Sequence, residues 1–213
     1  MLYLVLFQGK IYSMLKIKKS PTLSFLFTLL AIGIMTLFGP EEATLGSSVR
    51  LVYLHGAWVM TAELLFILAA LFGLIALITR KDEFHRWSAA LGRSGIFYWI
   101  TYLPLSMLAM QANWNGLFLA EPRFRFALSF AIVGLLLQIG LWMMDTNWLT
   151  ATANILFIAA LRYIFATAEN IMHPPPSPIF KSGNFTIIGF FIGLNILAWL
   201  SSYFVTRFFL PQK

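Results

Sequence analysis

Long apolar stretches alternate with short polar segments along the chain. Each stretch is close to the roughly 17–25 residues that an α-helix needs to cross a bilayer. A membrane β-barrel would instead show alternating segments of about ten residues, so the pattern predicts helices. Six spans are predicted, at about 23–38, 53–79, 89–110, 126–144, 148–168 and 185–208.

The segments between the spans predict the domain organisation. We expect an N-terminal segment over 1–20, of which residues 1–13 are interpreted as an upstream start or a non-native addition. One six-helix membrane domain follows over 21–210. Its outer loops are predicted at 39–52, 111–125 and 169–184, and the prolines after His173 favour an extended polyproline segment there.

Composition supports an all-α integral membrane protein. Hydrophobic residues make up 60% of the chain and charged residues only 11%, against roughly 25% charged residues in soluble domains. The absence of cysteine excludes disulfides, thiolate metal sites and covalent attachment of haem. The net charge of +7 does not indicate nucleic-acid binding, because most of the basic residues lie at the ends of the predicted spans.

The distribution of basic residues predicts the orientation of the spans. Lysines and arginines concentrate on the cytoplasmic side of a membrane protein. In the predicted topology, the side that holds both termini carries ten of them and the opposite side four. Both termini are therefore predicted to lie in the cytoplasm of a bacterial inner-membrane protein, or in the matrix if the membrane is the mitochondrial inner membrane.

Two histidines lie at the outer ends of predicted spans. His55 opens the second span and His173 follows the fifth, and a neutral imidazole at a helix end suits an axial ligand to haem iron. Arg50 and Arg123 could bind the haem propionates through bidentate contacts. The alternative is that both histidines are interfacial side chains that reach to water. The third histidine, His85, is predicted to be a solvated residue of the inner 80–87 loop.

A family resemblance bears on these alternatives. The segment Arg50–Trp58 around His55, the segment Trp114–Arg123 and the segment Asn170–His173 follow one another in this order. Together they resemble the C protein of the cytochrome c maturation (haem exporter) system. That family has a histidine at the start of its second helix, a tryptophan-rich haem-handling motif after the third and a second histidine after the fifth. The resemblance covers roughly residues 39–208.

The resemblance implies a haem-binding assembly factor rather than an enzyme. Such a protein holds haem b non-covalently at the outer membrane face and passes it on, beside a haem transporter and a haem chaperone. His55 and His173 would then ligate the iron. Trp114, Glu121 and Arg123 match the first tryptophan, the acidic residue and the arginine of the motif, and Phe118 would also contact the porphyrin.

Several residues depart from the family pattern. The later tryptophans of the motif are replaced by Leu117, Phe118 and Ala120, and Gly56-Ala57 stands where the family has proline after the first histidine. These departures favour an alternative function, in which the chain is a non-catalytic accessory subunit of a respiratory or photosynthetic electron-transport complex. A transporter of small solutes ranks last, because the sequence shows no inverted repeat.

Two charged residues are predicted within the spans. Glu63 lies eight residues after His55, and Arg162 lies eleven residues before His173. At about 1.5 Å per residue, their depths below the histidines are about 12 and 16 Å, so the two side chains could pair within the bundle. An unpaired charge there would cost about 2.5–3.5 kcal/mol. The alternative is that Glu63 belongs to a proton path or a quinone site.

Overall fold

Six α-helices account for most of the computed structural model, which describes residues 20–169 and 178–210. Between these residues there is no β-strand, only an isolated bridge between Glu42 and Gly46. The all-α class is therefore confirmed for the described ranges. The helices are α1 (Pro21–Leu37), α2 (Val49–Thr79), α3 (Asp82–Trp114), α4 (Pro122–Met144), α5 (Asn147–Thr167) and α6 (Phe185–Phe209).

Four of the helices have the length and the apolar composition to cross a membrane: α2, α4, α5 and α6. Helix α1 is apolar but has only 17 residues. Helix α3 has 33 residues and is less apolar than the others. These properties agree with a protein embedded in a membrane and in contact with its lipid.

Helix α3 lies at the centre of the bundle. It packs along the length of α2 and also contacts α4, α5 and α6, whereas α1 packs mainly against α6. The aromatic side chains of Tyr98 and Trp99 on α3 are fully buried. Trp99 donates a hydrogen bond to the carbonyl of Ala127 on α4 at 3.0 Å, and Trp58 on α2 donates to Thr101 at 2.9 Å. Helix α3 therefore contributes hydrogen bonds to neighbouring helices as well as aromatic side chains to the core.

The connection between α2 and α3 is shorter than the predicted 80–87 loop. Arg80 ends α2 in the left-handed conformation, and α3 already begins at Asp82. Two acidic residues in the first turn favour a helix start, because they complement the helix dipole. Phe84 and Trp87 then pack against Phe72 of α2, with ring centroids 6.0 and 5.9 Å apart. His85 is therefore a half-buried residue of the first turn of α3, and its prediction as a loop residue was wrong.

A buried polar network joins four helices in the inner half of the bundle. Asn154 of α5 accepts a hydrogen bond from Gln138 of α4 at 2.9 Å and donates to the backbone and hydroxyl oxygens of Ser88 of α3, both at 3.0 Å. The Ser88 hydroxyl donates to the carbonyl of Ala69 of α2 at 2.8 Å. All three polar side chains are buried. Hydrogen bonds of this kind, with small residues beside them, hold membrane helices together where the hydrophobic effect between helices is weak.

A second polar contact joins α3 to α6. Ser94 accepts a hydrogen bond from Thr206 at 3.0 Å, and the Tyr98 hydroxyl is hydrogen-bonded to Ser201 one turn away. All four side chains are buried. The central helix is thus tied by side-chain hydrogen bonds to α2, α5 and α6, which sets the positions of the helix ends that carry the candidate site.

Candidate functional site at the outer ends of α2 and α5

His55 lies in the second turn of α2 and is half-buried. Its ring faces Tyr102 of α3, with ring centroids 5.6 Å apart. The next residue, Gly56, faces α6 instead: a Cβ there would lie 3.2 Å from the ring of Phe191 and 4.0 Å from Cδ1 of Ile179. The outer part of α2 therefore presents His55 towards α3 and a close backbone contact towards α6.

The second predicted ligand, His173, lies outside the described residues, as does Asn170 beside it. The described residues on each side of this segment belong to parts of the chain that lie near α2. Helix α5, which packs directly against α2, ends at Thr167. The described chain resumes at Pro178, and the Ile179 side chain lies beside Gly56 of α2. The described residues nearest to His173 in the sequence thus lie after the end of α5 and beside the residue that follows His55.

Arg50, predicted to bind a propionate, is hydrogen-bonded within the protein. Its Nε donates to the carbonyl of Gly39 at 2.9 Å, and its Nη2 lies 3.3 Å from the carboxylate of Glu41. In the same loop, backbone N–H groups of Leu45 and Thr44 donate to Glu42, and these bonds hold the pKa of its carboxyl below the usual range. Arg50 therefore stabilises the loop between α1 and α2, and its role as a propionate ligand stays a prediction.

The other predicted contacts surround the connection between α3 and α4. Trp114 is the last residue of α3 and is half-buried. Glu121 is the N-cap of α4, and its carboxylate accepts a hydrogen bond from the backbone of Phe124 at 2.7 Å. Arg123 is half-buried in the first turn of α4. Phe118 is exposed between Leu117 and Leu119, which are exposed as well. Glu121 therefore has a local structural role, whereas Trp114, Phe118 and Arg123 remain candidates for ligand contact.

The Glu63 and Arg162 side chains form an ion pair between α2 and α5. Nη1 of Arg162 donates to Oε2 of Glu63 at 3.1 Å. The positive charge of Arg123 also acts on the Glu63 carboxylate, and the Tyr102 hydroxyl lies in the field of Glu63 and Glu121. The Arg162 side chain is 60% exposed and that of Glu63 is 25% exposed. The pair thus lies on the surface of the helix bundle, whereas the sequence had predicted it in the interior.

The described residues supply part of the predicted haem site: His55 lies near the start of α2, and Trp114, Phe118 and Arg123 lie around the connection between α3 and α4. Among the described residues, no group of three or more histidine or acidic side chains could hold a metal ion. Tyr102 was not predicted, because a tyrosine in an apolar helix gives no sequence signal of its neighbours.

Over the described residues, the fold defines the class of this protein as all-helical, with four helices that are long and apolar enough to span a membrane. Comparison with protein-family models, with curated proteins and with solved structures gives no match to this chain.

Proposed function

We propose that this chain is a non-enzymatic membrane protein that binds haem b at its outer face and passes it to a partner. One observation carries the proposal: the described chain stops soon after α5 and resumes at Pro178, with Ile179 beside Gly56, the residue that follows His55. The partners implied are a haem transporter and a haem chaperone of cytochrome c biogenesis.

The reach of the chain supports a pairing of the two histidines. His173 lies six residues after Thr167 and six residues before Ile179. Six residues can span at most about 20 Å. Because Ile179 lies beside Gly56 and α5 packs against α2, the described residues on both sides of this segment lie near α2. The length of the segment is therefore compatible with the proposed pairing of His173 with His55.

The remaining candidates have separate roles in this proposal. Arg123 would bind a propionate, because a guanidinium suits a carboxylate in bidentate geometry and Arg123 lies in the first turn of α4, close to Trp114 and Phe118 in the sequence. Trp114 and the exposed Phe118 would cover the porphyrin face and limit the access of water. Haem bound in this way would be a cargo, and its release would need one imidazole to dissociate.

The absorption spectrum of the purified protein tests the proposal. We expect oxidised and reduced spectra typical of iron with two imidazole ligands. Both His55→Ala and His173→Ala should abolish or shift these spectra, because each removes one ligand. His85→Ala is the matched control and should leave them unchanged, since His85 lies in the first turn of α3, at the opposite end of the bundle. A purified chain that binds no added haem, or variants that bind it as the wild type does, would refute the site.

A second function is favoured by a different observation. Leu117, Phe118 and Leu119 form an exposed apolar tip, with 46%, 41% and 46% of their surfaces exposed. Such a tip is suited to contact with a protein partner. An accessory subunit of an electron-transport complex would use it in this way. The hydrogen bonds by which Arg50 and Glu121 stabilise their own loops are compatible with this function. Stoichiometric co-purification with respiratory or photosynthetic subunits, without haem in this chain, would support the second function.

The proposed topology has six spans, with both termini on the cytoplasmic or matrix side. Helix α1 is about 26 Å long and α3 about 50 Å, so both can cross a hydrocarbon core of about 30 Å when α1 is flanked by interfacial residues. The exposed Trp142 and Trp148 flank the turn between α4 and α5, as expected of aromatic residues at a membrane–water interface. These tryptophans support a position of the turn at a membrane–water interface, which is the inner one in the proposed orientation.

Cysteine labelling in intact cells tests this topology. Because the chain has no native cysteine, each introduced thiol is the only target. Ala43→Cys and Ser182→Cys, at exposed positions in predicted outer loops, should react with an impermeant maleimide before permeabilisation. Ala43 is preferable to Glu42, whose carboxylate caps the loop. Glu83→Cys, exposed at the inner end, should react only afterwards. The reverse pattern would invert the assigned orientation.

A further inference from the structure

A strip of α2 below the ion pair is left uncovered by residues 20–169 and 178–210, the part of the chain that the structure describes. From Glu63 it continues at helical spacing through four side chains that are 42%, 50%, 49% and 73% exposed: Ile67, Leu71, Leu74 and Ile78. The spacings of four, four, three and four residues keep all five on one side of the helix. The ion pair therefore lies at one end of a surface strip that is otherwise apolar and faces away from the bundle.

Helix α5 extends this face on the other side of the ion pair. Leu156 and Tyr163 are 63% and 70% exposed, and Ala159 between them is also exposed. Arg162 lies next to Tyr163 and reaches across to Glu63. We refer to the surface formed by Glu63, Ile67, Leu71, Leu156, Ala159, Arg162 and Tyr163 as the α2–α5 face.

The position of Arg162 makes exposure to lipid unfavourable. Helix α5 has 21 residues and is about 31 Å long, close to the hydrocarbon thickness of about 30 Å. Arg162 lies five residues before its outer end, or about 8 Å below it. Charged side chains at such depths almost always face protein or water. Lipid tails provide no hydrogen-bond acceptor for a guanidinium, so lipid alone does not satisfy this face.

We infer that a second copy of this chain covers the α2–α5 face. The face is self-complementary: Arg162 has N–H donors beyond the one bonded to Glu63, and the Glu63 carboxylate has acceptor positions beyond the one that Arg162 uses. A two-fold axis beside Arg162 would bring each guanidinium to the carboxylate of the other protomer, and the four charges would be balanced. The small side chain of Ala159 lets two α5 helices approach closely. This inference is independent of haem binding.

Disulfide cross-linking in native membranes tests the dimer directly. Single cysteines are placed at Leu156, Ala159 and Tyr163 in turn, and oxidation joins thiols whose Cα atoms lie within about 7 Å. We expect at least one of the three variants to give a band at twice the mass of the chain. The matched control is Ile196→Cys on α6, which is 55% exposed on a helix without contact to α5, and it should stay monomeric.

Charge variants then test the role of Arg162. In the best cross-linking background, Arg162→Leu should remove most of the dimer band. The exchanged pair Glu63→Arg with Arg162→Glu should restore it, because the four charges are again complementary, and this variant also controls for misfolding. The inference is overturned if none of the three cysteines joins two copies, if the control cross-links equally well, if only a different polypeptide is joined, or if Arg162→Leu leaves the dimer intact.

Discussion

Replacement of Gly92 by alanine is expected to destabilise the bundle by about 1–3 kcal/mol, a large effect for a single methyl group. A Cβ at Gly92 would lie 2.7 Å from the amide oxygen and 3.0 Å from the amide nitrogen of Asn154. It would also lie 3.0 Å from the amide nitrogen of Gln138. The new methyl group must displace a hydrogen-bonded network that joins four helices, and the displaced amides are buried.

Thermal unfolding of the detergent-solubilised protein, followed by circular dichroism, measures this loss. Gly140→Ala is the matched control, because Gly140 also lies within a helix and a Cβ there would have no neighbour within 4 Å. This variant should be neutral or more stable by about 0.5–1 kcal/mol, since alanine favours helix more than glycine does. If both variants lose stability equally, close packing at Gly92 is not the cause.

The ion pair between α2 and α5 is expected to respond unequally to removal of its two members. Arg162→Leu leaves the less exposed Glu63 carboxylate without its nearest partner and should cost about 2–3 kcal/mol. Glu63→Leu leaves an arginine whose long side chain can turn only part of the way towards the interface, so the loss should be smaller, about 1–2 kcal/mol.

A double-mutant cycle on unfolding free energies measures this coupling. The double variant with leucine at both positions should recover much of the loss, because it removes both desolvation costs. Tyr163→Leu, at a neighbouring position with 70% exposure, controls for changes to the outer face of α5. Losses that simply add in the double variant would show that the two side chains stabilise the fold independently.

Helix positions could be predicted from the sequence because apolar length is a strong signal. Each of the six predicted spans overlaps one helix, but the starts of α2, α3 and α4 were placed four, seven and four residues too late. The charges from Arg80 to Arg86 indicated a loop, whereas Phe84 and Trp87 pack against α2 and extend the helix to Asp82. Packing between helices decides such boundaries, and it is not visible in local composition.

The side of each helix that faces the bundle could not be predicted in the same way. In a membrane both sides of a helix are apolar, so periodicity carries little information on burial. The matching depths of Glu63 and Arg162 predicted their contact, but not their place on the outer wall. Likewise, the ion pair between Arg50 and Glu41 was not predicted. Glu41 lies in an irregular loop, and no regular spacing there indicates which side chains will meet.

The short connection between α2 and α3 has a consequence for biogenesis. Helix α3 is the least apolar of the long helices, and it contains Arg93 together with Ser94 and Ser106, which are buried in the bundle. Only Arg80 and Lys81 separate it from the strongly apolar α2. We expect the two helices to leave the insertion machinery as one antiparallel hairpin. The transfer of the apolar α2 into the bilayer then supplies the favourable free energy, and α2 shields the polar side chains of α3 from lipid. Because α2 is synthesised directly before α3, the helix that inserts readily is already paired with the helix that would not insert by itself.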